Sequence, residues 1–297
     1  MKHFLTIAVL VSFCSIAVAQ DENSVKAPDS TASGRSTFTA GMLYATNASY
    51  YGQKAEEKTP YLALMSSYRH RSGFYVSGMA YRLLNDSSKL ASAYAAGAGF
   101  EFPLGKKFTA DLGYSYTFFP KLSPFLQAAN PHTASATLTY EGWLTASLNF
   151  DYTFGKTGDF FITPAVSKQI VLKTFDSVTF LVFTPEFNVT AGTQRFYEYY
   201  ESTKKKRDSV LGKVLDRLPV NLPGNNPNSP DNAETTVEVK EASRFDLLSY
   251  NCKLPLAFYY KGMVFELSCQ FSLLGDKVQS HPGKLNSFFG AAFYYQF

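Results

Sequence analysis

Apolar and polar residues alternate with a period of two along most of this chain, from about Ser36 to Phe297. The alternation is clearest in the middle. Tyr94, Ala96, Ala98, Phe100 and Phe102 oppose Ala95, Gly97, Gly99 and Glu101, and Phe108, Ala110, Leu112, Tyr114, Tyr116 and Phe118 oppose Thr109, Asp111, Gly113, Ser115 and Thr117. Successive side chains of a strand point to opposite faces, so the pattern predicts strands and not helices. Segment three is less regular: Tyr75, Met79, Tyr81 and Leu83 stand against Ser77 and Arg82. The segments number about twelve, with ten or fourteen as alternatives because segments two, six and eight have soft boundaries. In the clear segments one face is long and aromatic, and the other is small and polar with embedded carboxylates. A soluble β-sandwich also alternates. This distribution of bulk instead predicts an all-β, antiparallel up-and-down transmembrane β-barrel with lipid outside and a polar lumen inside.

The start of the chain fits an exported protein. MKHFLTIAVLVSFCSIAVAQ carries one early Lys, an apolar run and small residues at Ala17 and Ala19, which predicts a signal peptide over 1–19 with cleavage before Gln20. Residues 20–35 read as a flexible periplasmic lead-in, and 36–297 as the barrel. Aromatic residues make up 16% of the chain, yet nowhere is an apolar run long enough for a membrane helix after the signal, which again favours strands as the crossing elements.

The last stretch, LNSFFGAAFYYQF, ends on Phe297 with Tyr295 and Phe293 two and four residues before it. It resembles the C-terminal strand of bacterial outer-membrane β-barrel proteins, which the assembly machinery reads as an insertion signal. The resemblance covers nearly the whole mature chain, but rests on pattern and the terminal signal, not on a family-specific motif. It implies the outer membrane of a Gram-negative bacterium. The partners it implies are outer-membrane lipid, lipopolysaccharide and, during insertion, the barrel-assembly machinery.

The connections supply a check, because such barrels have short periplasmic turns and longer external loops. With strand one running outward, the short turns at Arg71-Ser72, Pro103 to Lys107, Glu141 to Trp143, Lys173 to Ser177 and Tyr260-Lys261 fall inside, and most longer ones outside. The long external loop, 191–243, holds the basic run Lys204, Lys205, Lys206 and Arg207. It then holds Val210, Leu211, Val214, Leu215 and Leu218 at helical spacing, stopped by Pro219. This predicts a short helix. Either the helix rests on the barrel rim with the basic run simply solvated, or the segment is a lid, a partial plug or a basic contact for lipopolysaccharide phosphates.

Candidate chemistry changes the picture little. The polar faces place Arg82, Glu101, Asp111, Asn149, Asp151, Glu186, Asn251, Lys253, Glu266 and Gln270 as lumen-lining residues, which bias an open pore toward cations or polar neutral solutes. His70 and Ser72 are two apart, as are Ser and His in the outer-membrane phospholipase, but they fall at a periplasmic turn away from the outer leaflet. No set of ligands at metal spacing appears and no cofactor is expected. Removing the signal lowers the formal charge from +4 to +3, since Lys2 is its only charged side chain, and this argues against nucleic acid. Cys252 and Cys269 face lipid and lie opposite each other if the turn is Tyr260-Lys261, so a disulfide is one reading and two free thiols the other. The leading expectation is a narrow channel for small polar solutes. A closed barrel acting as a scaffold is the alternative, and a lipid-modifying enzyme the third.

Overall fold

The computed structural model describes residues 35–85, 91–208 and 244–297. The expected signal peptide, most of the lead-in and the expected helix at Val210 to Leu218 lie outside them. The first seven strands are β1 (Thr37–Ala45), β2 (Tyr61–Arg69), β3 (Phe74–Leu83), β4 (Ala93–Pro103), β5 (Phe108–Phe118), β6 (His132–Glu141) and β7 (Thr145–Phe154). Three strands follow in two pieces each: β8 (Gly158–Ser167, then Ile170–Thr174), β9 (Thr179–Phe183, then Glu186–Gly192) and β10 (Asp246–Lys253, then Leu256–Tyr260). The last two are β11 (Met263–Leu274) and β12 (Leu285–Gln296).

The breaks in β8, β9 and β10 lie side by side. Lys168 N–H donates to the Pro185 carbonyl at 3.1 Å and Thr184 N–H to the Pro255 carbonyl at 3.1 Å. Neither proline has an N–H to return, so the ladder is interrupted there without ending the strands.

All neighbours are antiparallel, and the sheet closes. The last strand pairs with β11, as in Phe265 with Phe293, and with β1, as in Met42 with Phe293. The terminal Phe297 N–H donates to the Phe38 carbonyl at 2.8 Å. The result is a twelve-stranded barrel, which leaves no strand edge at the seam. Its outer surface is apolar: Met42, Leu64, Phe100, Leu112, Tyr152 and Phe289 are all exposed. Its inner positions are buried and mixed, running from Tyr75, Tyr81 and Leu83 to Asp111, Asp151 and Ser249.

Two expectations are corrected by register. Arg82 does not line the lumen; it is exposed on the outer face of β3 with Phe74 and Val76, opposite Leu62. The bulky residues of β3 are the inner ones, because Tyr81 and Leu83 pack against Tyr61, Ala48 and Phe125 inside the barrel. The possible disulfide is also absent, and both cysteines are free. The turn is Lys261-Gly262, with φ of 45° and 84°, and it pairs Tyr260 with Met263. A two-residue loop with both φ values positive suits the twist of a hairpin. The shift puts Cys252 opposite Phe271, and Cys269 beside Leu254, whose N–H donates to the Cys269 carbonyl at 2.9 Å.

One strand edge remains. Ile170–Thr174 pairs with β9, while β7 ends opposite Ser167, so the other side of this segment has no strand partner among the described residues. Lys168 flanks it, lying 4.6 Å from the Trp143 ring centroid, and such charges discourage edge-to-edge pairing.

Candidate functional site: an occupied barrel interior

The connection between β1 and β2, residues 46–60, does not stand away from the barrel but turns into it. Tyr50 and Gln53 exchange backbone hydrogen bonds of 2.8 and 3.0 Å around a tip made of Tyr51 and Gly52, with φ of 52° and 80°. Glycine is needed at the tip for space as well as for φ, because a Cβ on Gly52 would lie 2.6 Å from Asn251 Oδ1.

The barrel wall receives this tip through polar groups. Tyr51 Oη donates to Asp151 Oδ2 at 3.0 Å, Ser249 Oγ to the Tyr51 carbonyl at 2.8 Å, and Asn286 Nδ2 to the Gly52 carbonyl at 3.1 Å. Ser280 Oγ of the last loop donates to Gln53 Oε1 at 2.9 Å. The Tyr51 ring stacks on Phe161 with centroids 3.6 Å apart, and Tyr50 meets Phe196 edge-on at 4.8 Å. Gln53 of the tip and the wall residues Asp151, Thr153, Ser249 and Ser272 are each 0% exposed, so plug and wall pack closely at this level.

A lid fastens the plug. Helix α1 spans Arg195–Asp208 in the long loop, ahead of the segment where the sequence predicts it. Asp159, at the start of β8, caps its N-terminus: Oδ1 accepts from Arg195 N–H at 2.8 Å and Oδ2 from Phe196 N–H at 2.9 Å. A carboxylate there satisfies orphan donors and complements the helix dipole. Phe196 and Tyr200 are buried, and the Tyr200 hydroxyl accepts from Glu56 N–H at 3.1 Å. Lys204 Nζ lies 2.6 Å from Glu56 Oε2, and this hydrogen bond holds the Glu56 carboxyl below its ordinary pKa. Of the expected basic contact, Lys204 is thus turned onto the plug loop, while Lys205 and Lys206 are exposed. The Arg207 side chain lies outside what the structure describes.

The remaining expected lumen residues face inward in two groups. Toward the short-turn end, Glu101 lies opposite Asp111 on the next strand. Arg69 Nη1 is 3.1 Å from Glu101 Oε1, and Tyr75 Oη donates to Asp111 Oδ1 at 2.9 Å. On β7, Asn149 Nδ2 donates to Asp151 Oδ2 at 2.6 Å and Asn149 Oδ1 accepts from Thr137 Oγ1 at 2.7 Å. On the other wall Lys253 Nζ is 3.3 Å from Glu186 Oε1, Asn251 Nδ2 donates to Asn188 Oδ1 at 2.7 Å, and Gln270 Nε2 donates to Ser272 Oγ at 2.9 Å. Glu266 is buried between Ala257 and Ala292 of the flanking strands. Arg69 pairs with Glu101 and Lys253 with Glu186, and among the inward residues named here carboxyl groups outnumber cations five to two. Asp159 and Tyr51 are the members that sequence reasoning misses. The aromatic pair at Tyr50-Tyr51 before a glycine is the visible signal for the tip.

His70 Nδ1 and Ser72 Oγ are 2.9 Å apart in the β2–β3 turn, where Ser72 N–H also donates to Nδ1 at 3.3 Å. The pair closes its own turn. Among the described residues no group of three or more His, Cys, Asp or Glu is arranged to hold a metal.

A closed antiparallel barrel with an apolar belt, an acidic polar interior, short turns at one end and longer loops at the other is an outer-membrane β-barrel. No family model and no curated protein sequence matches the chain. Among solved structures it is similar to the KdgM porin in complex with disordered oligogalacturonate, at 9% identity and a TM-score of 0.45, covering 88% of this chain and 99% of that one. It is also similar to the NanC porin, at 7% identity and a TM-score of 0.43, covering 87% and 98%. A third similarity is to LpxR from Salmonella typhimurium, at 10% identity and a TM-score of 0.42, covering 86% and 99%.

Proposed function

We propose that this protein is a narrow outer-membrane channel for small cationic or polar neutral solutes, held shut in this state by residues 46–60. The observation that carries the reading is the way the plug is seated. Its tip meets the wall through the side chains of Asp151, Ser249 and Asn286, groups that water could solvate equally well once the tip has left. Lost protein hydrogen bonds are then exchanged for water and the net cost is small, whereas an apolar seat would expose its full area. The acidic interior disfavours anions along the same route.

A second reading, a permanently closed scaffold, is favoured by the aromatic packing of Tyr50, Tyr51, Phe161 and Phe196 in one cluster. Liposome swelling separates the two. Proteoliposomes of a variant with residues 48–58 replaced by a short Gly-Ser linker should swell in arginine and in a neutral sugar, and more slowly in glutamate. No swelling in any of them, with the barrel intact by its resistance to heat in detergent, would establish the scaffold.

A further inference from the structure

Arg82 faces away from the interior. It stands on the lipid-facing side of β3, exposed, one residue from the strand's end at the long-loop rim. No protein group hydrogen-bonds or ion-pairs with it among the described residues. An outward Arg costs roughly 2–4 kcal/mol at the bilayer midplane and near zero at the interface, so this position belongs at headgroup level.

Three more cations gather along the same rim. Lys58 leads into β2, where Asn85 Nδ2, just past the end of β3, donates to the Lys58 carbonyl at 2.9 Å. Lys284 leads into β12, the neighbour of β1. Lys54 is brought to it because Gln53 bonds Ser280 and Gly52 bonds Asn286 on either side. Lys54, partly desolvated and repelled by Lys284 and Lys58, holds its proton less tightly than usual. Among the described residues no carboxylate contacts any of the three, and the nearby Glu56 is engaged by Lys204. Four cations that no carboxylate among the described residues contacts therefore stand along one arc of the external rim, from β12 through β1 and β2 to β3.

We infer that this arc, Arg82 with Lys54, Lys58 and Lys284, is a recognition surface for the phosphate groups of the outer-leaflet glycolipid. Arg82 meets a phosphate from within the lipid-facing surface, where its planar donors can bind two oxygens. The lysines meet the phosphorylated sugars above it as point charges. This surface is distinct from the run Lys204 to Arg207, whose first member is spent on the plug loop. It depends on the barrel's placement in an outer membrane but not on whether the barrel conducts.

The test uses the full mature chain, refolded and inserted into vesicles of phosphatidylethanolamine. The vesicles are doped with bisphosphorylated lipid A, with chemically dephosphorylated lipid A, or with neither plus inorganic phosphate. Binding of lipid A is read by native mass spectrometry after detergent extraction, and insertion is read separately by resistance to heat. The wild type should retain bisphosphorylated lipid A and little of the dephosphorylated form. The variant Arg82→Gln/Lys54→Gln/Lys58→Gln/Lys284→Gln should insert normally and lose affinity by roughly fivefold per charge removed. Single Arg82→Lys should fall between the two. Equal retention of both lipids, or of bisphosphorylated lipid by wild type and variant, would overturn the inference. Protection of the site by inorganic phosphate alone at millimolar concentration would also overturn it, since it would mark a free-anion site. Failure of the channel reading leaves every one of these outcomes unchanged.

Discussion

Tyr51 holds three interactions at once: its hydroxyl on Asp151, its carbonyl on Ser249 and its ring on Phe161. Tyr51→Phe removes the first alone. Because Asp151 is 0% exposed, losing this donor weakens its satisfaction, and the barrel should lose about 1–3 kcal/mol of stability, read from the urea midpoint in detergent. Unchanged stability would mean that water takes the place of the hydroxyl in a plug already loose. Glu56 gives a pH-dependent counterpart. Lys204 lowers its folded-state pKa, so this contribution is fully present above the ordinary glutamate value, near 4.5, and is lost as pH falls through the depressed one. Protease cleavage of the long loop should therefore rise below about pH 4 in the wild type. In Glu56→Gln it should be raised already at neutral pH and vary less with acid. The contact is partly exposed, so the effect is small and should shrink with salt.

At the scale of elements, alternation made the strands legible and left the turns and loops open. The faces of β5 and β7 follow from sequence because Tyr, Phe and Leu sit on one side and Ser, Thr, Asp and Asn on the other. Face assignment fails on β3, where Tyr75, Tyr81 and Leu83 point inward to meet Tyr61 and Phe125, and a rule that sends bulk to lipid mistakes an apolar interior for an apolar exterior. The Cys252 to Cys269 register fails on one turn, for a two-residue shift at Lys261-Gly262 moves every pair above it. Helix α1 escaped notice because its cap, Asp159, lies 36 residues before Arg195, a distance no local capping pattern spans. The register correction is checkable. Both native thiols should alkylate fully without reductant. A Phe271→Cys variant should oxidise to a bond with Cys252, since directly opposed strand residues fall within the Cα separation a disulfide needs. A bond between Cys252 and Cys269 in the wild type would restore the register expected from sequence.

At the scale of the molecule, the barrel class was readable from the signal, the alternation and the terminal Phe297, but the segments that fill its interior were not. Ten lumen residues were named from their faces, and nine of them point inward. What fills the space between them comes from 46–60 and from a helix more than a hundred residues further on, and no periodicity within either segment shows that they meet. Single-channel recording in a planar bilayer tests the account most directly, comparing the wild type with the variant that replaces residues 48–58. The plugged interior predicts a wild type that stays closed with rare brief openings, and a variant that conducts steadily, with a reversal potential favouring cations across a potassium chloride gradient. A wild type that conducts as fully as the variant, or a correctly folded variant that passes no current, would contradict it.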